Sequence, residues 1–171
     1  MISTIPVGTG PVSLISSFSN LEEKGKIYVA NFDNNTVSVI NASSDKGIST
    51  IPVGENPGDI AVNPSTNKIY VANLGSNTVS VISASSDKEI SRIPVGENPG
   101  AIQASSVFPS LSYVLDKPIN HTDTVSVIDD SVEKVAAGVT FNIRPANSGN
   151  VWCNNEEYPT NIYLYLVSGT K

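Results

Sequence analysis

The chain repeats itself, and the repeat limits what it can fold into more tightly than any other feature. Residues 48–89 read ISTIPVGENPGDIAVNPSTNKIYVANLGSNTVSVISASSDKE. The preceding stretch carries ISTIPVG at 2–8, KIYVAN at 26–31 and NTVSVINASSDKG at 35–47. The following stretch carries ISRIPVGENPGAI at 90–102, SYVLD at 112–116 and DTVSVIDD at 123–130. Ile5, Ile51 and Ile93 are equivalent, as are Ile40, Ile82 and Ile128, so the period is 42 residues with four-residue expansions in the first and third copies. A fixed period of this length means stacked supersecondary units, each relying on its neighbours to cover its apolar faces.

Within a copy the pattern belongs to strands. Thr78-Val79-Ser80-Val81-Ile82 and Lys68-Ile69-Tyr70-Val71-Ala72 alternate in character or are β-branched throughout, and no stretch shows apolar residues at helical spacing. The middle copy divides into strands near 47–53, 58–63, 67–73 and 77–83. Asn63-Pro64-Ser65-Thr66-Asn67 and Leu74-Gly75-Ser76-Asn77 read as hairpin loops. Asn56-Pro57-Gly58 and Asn98-Pro99-Gly100 read as type II turns, with φ > 0 expected at the glycine. Four antiparallel strands in about 40–45 residues describe a β-propeller blade. An all-β chain of about three such blades is therefore expected, with no helix longer than one turn.

Composition narrows the function classes. Charged residues make only 15% of the 171 residues, against about 25% in an average soluble protein. The net charge of −6 argues against nucleic acid, whose binding draws on Lys and Arg. No apolar run reaches the ~20 residues of a membrane helix. Met1 leads directly into Ile-Ser-Thr-Ile-Pro, so no signal peptide is read in this chain. Cys153 and His121 are each single, which leaves no internal disulfide and no Cys/His zinc site.

The series IPVG, P-x-x-I-A-V-N-P, NKIYVAN and NTVSVI closely resembles the YVTN-type β-propeller repeat of archaeal and bacterial surface-layer-like proteins. The resemblance covers residues 2 to about 130. The first copy departs from it at Ser17–Gly25 and the third at Ala104–Pro118, where IYVAN becomes SYVLD. It implies that the IPVG strand is outermost and that the strand after Pro-Gly lines the central channel. It also implies a cell-surface or extracellular protein; without it, the default is the cytoplasm. Repeats are drawn at 2–47, 48–89 and 90–135, within a propeller portion 1–135. In this phase the outer strand 2–7 is left to pair with the strand 123–129.

Residues 136–171 carry no IPVG or YVAN element and are read as the start of a separate small β module, similar to those recurring on surface proteins. Strands are expected near 138–144, 150–154 and 161–167. The chain is accordingly read as a fragment of a longer surface protein. Three blades do not close a ring. Val37, Val39, Ile27 and Val29 in the first copy, with Val125, Val127 and Val114 in the third, are expected to lack neighbours and to promote self-association.

No residue is assigned a catalytic, cofactor or metal role. His121 lies in the loop insertion 118–123 and reads as a solvated loop histidine, while Cys153 lies in a strand and reads as a buried, inert thiol. Gly8-Thr9-Gly10 and the glycines of 54–58 lead into strands rather than a helix, so they form no phosphate loop. Glu22-Glu23, Asp129-Asp130 and Glu156-Glu157 lack calcium-loop spacing and read as solvated faces. Asn34, Asn41 and Asn120 begin N-x-S/T sequons. The channel strands read VSLISS, GDIAVN and GAIQAS, with Asp59 their one charge. The expected function is a non-enzymatic scaffold for a protein or cell-envelope partner. The alternative is a propeller enzyme of lactonase-like or haem/quinone redox type, with its site at the channel.

Overall fold

The computed structural model describes residues 4–17, 25–105, 111–117 and 122–142. They form three four-stranded antiparallel sheets. Blade 1 holds β1 (Pro11–Ser17), β2 (Lys26–Asn31), β3 (Thr36–Asn41) and β4 (Lys46–Pro52). Blade 2 holds β5 (Pro57–Asn63), β6 (Lys68–Asn73), β7 (Thr78–Ser83) and β8 (Lys88–Pro94). Blade 3 holds β9 (Pro99–Ala104), β10 (Leu111–Asp116), β11 (Thr122–Asp129) and β12 (Lys134–Asn142). Phe32–Asn34 forms a single 3-10 turn. The chain is an all-β propeller arc whose ring is open.

Sequence neighbours are spatial neighbours in every sheet, because a short connection, four residues in six of the nine cases, suffices to reverse the chain between antiparallel strands. Each β3–β4-type turn ends in a left-handed acid: Asp45 at φ 52, Asp87 at 52 and Glu133 at 53. Asn35 and Asn77 at φ 57 and 53 do the same between the second and third strands. Asn and Asp tolerate this conformation because their short polar side chains bond locally.

The core is two seams between three blades. Tyr28, Val37, Val39 and Ile51 of blade 1 pack on Ile60, Ile69, Val71 and Ile82 of blade 2. Tyr70, Ala72, Val79, Val81 and Ile93 of blade 2 pack on Ile102, Val114 and Ile128 of blade 3. Every residue from Ile69 to Ala72 is fully buried, which explains why this strand does not alternate between apolar and polar. Burying one such Val or Ile contributes about 1.5–3 kcal/mol. Each blade thus has a leading face, on the tyrosine side, and a trailing face, on the side of Ile69 and Val71. β5 packs between β1 and β9, so the first strands form the inner wall.

Four expectations change. The third sheet takes its outer strand from downstream: β12 pairs with β11 over Asp129↔Lys134 to Thr122↔Asn142. It begins at Lys134 and ends at Asn142. A tight hairpin brings β12 to β11 locally, whereas residues 4–8 lie at the other end of the arc and form no strand. Consequently 123–129 is not an exposed edge. The residues expected to stand bare are also placed differently. Val37 and Val39 lie on the leading face of blade 1, against blade 2, and are fully buried, while Val29 is 7% exposed and Val114, on the trailing face of blade 3, is fully buried. Finally, the positive φ in the Asn-Pro-Gly segments sits on Asn56 and Asn98, both at 50°, while Pro57-Gly58 and Pro99-Gly100 open strands. The linker reverses before the proline, so no type II turn forms. The strands placed near 150–154 and 161–167 lie outside the described residues.

Candidate functional site

Asp59, the one charged residue read on the channel strands, joins all three blades. Its Oδ1 accepts from Ser13 Oγ of β1 at 3.0 Å, and its Oδ2 accepts from the Ile102 amide of β9 at 3.0 Å. Both oxygens are engaged, so the carboxylate braces the inner wall. Among the described residues no cluster of three or more His, Cys, Asp or Glu could hold a metal ion.

A second set of groups fastens the entry to each blade. Asn73 Nδ2 donates to Ser80 Oγ at 2.9 Å and to Thr78 Oγ1 at 3.1 Å, and the Gly54 amide donates to the same Ser80 Oγ at 3.2 Å. Asn31, Ser38, Thr36 and Gly8 repeat this arrangement in blade 1. In blade 3 an aspartate replaces the asparagine. Ser126 Oγ donates to Asp116 Oδ2 at 2.6 Å, Thr124 Oγ1 donates at 3.3 Å, and the Gly96 amide donates to Ser126. A Cβ on Gly54 would stand 2.6 Å from Asn73 Cγ, so the last residue of IPVG must be glycine for this approach. Burial pushes the Asp116 carboxyl up, and the bonds from Ser126 and Thr124 only partly offset it.

The outer half of each seam carries charge. Lys26 Nζ of blade 1 donates to Asp87 Oδ2 at 2.8 Å and to the Ala84 carbonyl at 2.9 Å, and the Tyr28 hydroxyl donates to Asp87 Oδ1 at 2.9 Å. At the next seam Lys68 Nζ donates to Glu133 Oε1 at 2.8 Å and to the Asp130 carbonyl at 2.9 Å. Desolvation, reinforced by Asp87, holds the Tyr28 hydroxyl far above the ordinary tyrosine value. Burial and Asp130 do the same to Tyr70. The Lys68 bond lowers the Glu133 carboxyl.

These seam residues were not singled out in the sequence. Their signal was present, since a repeat poor in charge keeps a lysine at the head of KIYVAN in two copies and an acid before the next lysine in all three.

The remaining candidates are placed as follows. Asp130, read as part of a solvated face, is 1% exposed: its Oδ2 accepts from Asn63 Nδ2 at 2.7 Å and Ser112 Oγ at 3.2 Å. Burial raises its carboxyl against those bonds. Its neighbour Asp129 does face solvent and caps the turn through Ser131. Asn34 accepts from Thr36 Oγ1, and Asn41 Oδ1 caps its turn through Ser43 and Ser44. His121, Cys153, Asn120, Glu22-Glu23 and Glu156-Glu157 lie outside the described residues. No helix among the described residues is long and apolar enough to cross a membrane.

No protein-family model and no curated protein matches the chain. Solved structures do. Hydrazine synthase of Kuenenia stuttgartiensis superposes at a TM-score of 0.70 over 82% of this chain, with 23% identity. Dihydro-heme d1 dehydrogenase NirN, solved in complex with DHE, superposes at 0.71 over 82%, with 11% identity. This chain spans 38% and 31% of those two chains. At such identities the likeness is one of fold: the chain is an arc of a β-propeller.

Proposed function

We propose that the protein is a non-enzymatic β-propeller scaffold, displayed at the cell surface or secreted, that binds a protein or cell-envelope partner through its blade faces and turns. The observation that supports this most directly is the commitment of Asp59. Each oxygen of the one carboxylate on the inner strands is tied to a neighbouring blade, through Ser13 and Ile102, which is the placement of a structural brace rather than of an acid or base aimed at a substrate. The YVTN-like repeat supports the surface location, and the sparse charge supports a rigid display surface over a steered substrate funnel.

Co-sedimentation of the purified chain with cell envelopes tests the reading. Saturable retention that competes with unlabelled protein is the expected result. Hydrolysis of a lactone panel that is lost in Asp59→Asn, or stoichiometric uptake of haem or a quinone, would overturn it in favour of channel chemistry.

A further inference from the structure

The two internal seams share one recognition device, and blade 1 keeps half of it with nothing opposite among the described residues. At the first seam a Lys-x-Tyr pair on β2, Lys26 and Tyr28, meets Asp87 at the end of the β7–β8 turn. At the second seam Lys68 on β6 meets Glu133 at the end of the β11–β12 turn, with Tyr70 beside Asp130. The equivalent residue of blade 1 is Asp45, in the same turn and with the same left-handed backbone. It is exposed and has no partner among the described residues.

The apolar part of the face tells the same story. Ile60 and Ile102 occupy matching positions on the inner strands of blades 2 and 3 and are 5% and 6% exposed, each covered by the blade before it. Leu14, their counterpart in blade 1, is 66% exposed. A groove of about 470 Å³ runs along this side of blade 1, lined by Pro6, Val7, Ser38, Ile40 and Ile48 among others.

We propose that the trailing face of blade 1 is a docking surface for a partner blade of the same repeat type that presents Lys-x-Tyr on its second strand. The lysine pairs with Asp45, as lysine and acid pair at both internal seams, and the tyrosine hydroxyl bonds the same carboxylate, as Tyr28 bonds Asp87 at the first. The chain's own third blade does not meet this requirement. Leu111 stands where Lys26 and Lys68 stand, so a second copy would offer Leu111-Ser112-Tyr113 and desolvate Asp45 without a cation. This inference is independent of the scaffold reading, because it holds whether the assembled propeller is a scaffold or an enzyme.

The full chain carrying Leu111→Lys supplies the missing donor and serves as the probe. Sedimentation equilibrium should show it self-associating at least tenfold more tightly than the wild type, equivalent to about 1.4 kcal/mol. The gain should shrink as salt is raised. Adding Asp45→Asn should return association to the wild-type value. The charge-swapped pair Asp45→Lys with Leu111→Glu should restore it, and this pair carries the test if Leu111→Lys fails to fold. No gain from the lysine, or a gain that survives Asp45→Asn, overturns the proposal. So does wild-type association as tight as that of the variant, which would make a second copy the occupant through apolar contacts alone.

Discussion

Asn73 Nδ2 lies 2.9 Å from Ser80 Oγ, and this fully buried pair turns a loop entry into a fixed one. The serine hydroxyl also receives the Gly54 amide, so one side-chain pair holds the linker from blade 1 against the middle of blade 2. Replacing Asn73 with Ala strips Ser80 and Thr78 of their shared donor in a site water cannot easily reach. A loss of about 1–3 kcal/mol in urea denaturation is expected. Asn31→Ala should cost a comparable amount.

Asp116→Asn should act in the opposite direction. Burial holds this carboxyl above its ordinary value of 3.8. The native state therefore binds the proton more tightly than the unfolded chain, and stability falls as the pH rises from about 3.8 through the native value. The asparagine removes that penalty and reproduces the arrangement of the other two blades. A gain on the order of 1 kcal/mol at pH 7 is expected, fading as the pH is lowered through about 3.8, with denaturation at both pH values as the measurement.

The seam pair Lys26–Asp87 is mostly shielded, with side-chain exposures of 26% and 18%, and Lys26 also bonds a carbonyl. A double-mutant cycle with Lys26→Ala and Asp87→Ala should give a coupling of about 1 kcal/mol that weakens in high salt. The cycle Arg92→Ala with Glu89→Ala, an exposed pair within β8, should give a smaller coupling.

Asp59→Ala breaks two ties between blades at once and leaves the Ile102 amide without its acceptor. Thermal melts should show a loss of about 1–3 kcal/mol. Asp59→Asn keeps one acceptor oxygen and should lose less.

Asn56, not Gly58, bears the strained backbone. Asn56→Val forces a β-branched residue to φ 50 and should cost about 1–2 kcal/mol, whereas Asn56→Gly relieves the φ constraint. Gly58→Ala meets only the tip of Leu74, 2.1 Å from an added Cβ, so its cost should largely disappear in a Leu74→Ala background. Chemical denaturation of these variants separates backbone strain from side-chain crowding.

Much of the fold was legible because it rests on local periodicity. The strands expected near 58–63, 67–73 and 77–83 are β5, β6 and β7 to within a residue, and the loops between them fall where Pro, Ser, Asn and Gly cluster. The third copy was harder to read. Its repeat is eroded, and nothing local in Lys134–Asn142 says which sheet that strand completes. The Asn-Pro-Gly segments misled because proline and glycine fit several turn geometries. Only the path of the linker across Asn35 and Asn77, whose Oδ1 atoms receive the Asn56 and Asn98 amides, decides which residue turns left-handed.

The candidate site divides along the same line. The sequence by itself determined a repeat of 42 residues, an all-β chain with apolar strands that both faces must cover, and Asp59 as the one charge on the channel strands. Each of these follows from residue type and spacing along one strand. Tertiary structure alone decided that Asp59 is spent on two neighbouring blades, that Asp130 is buried, and that Lys26 meets Asp87 from 61 residues away. It also decided that Leu14 stands bare where Ile60 is covered. Pairing and burial of this kind depend on which blade lies against which face, a relation between distant segments that no local pattern encodes.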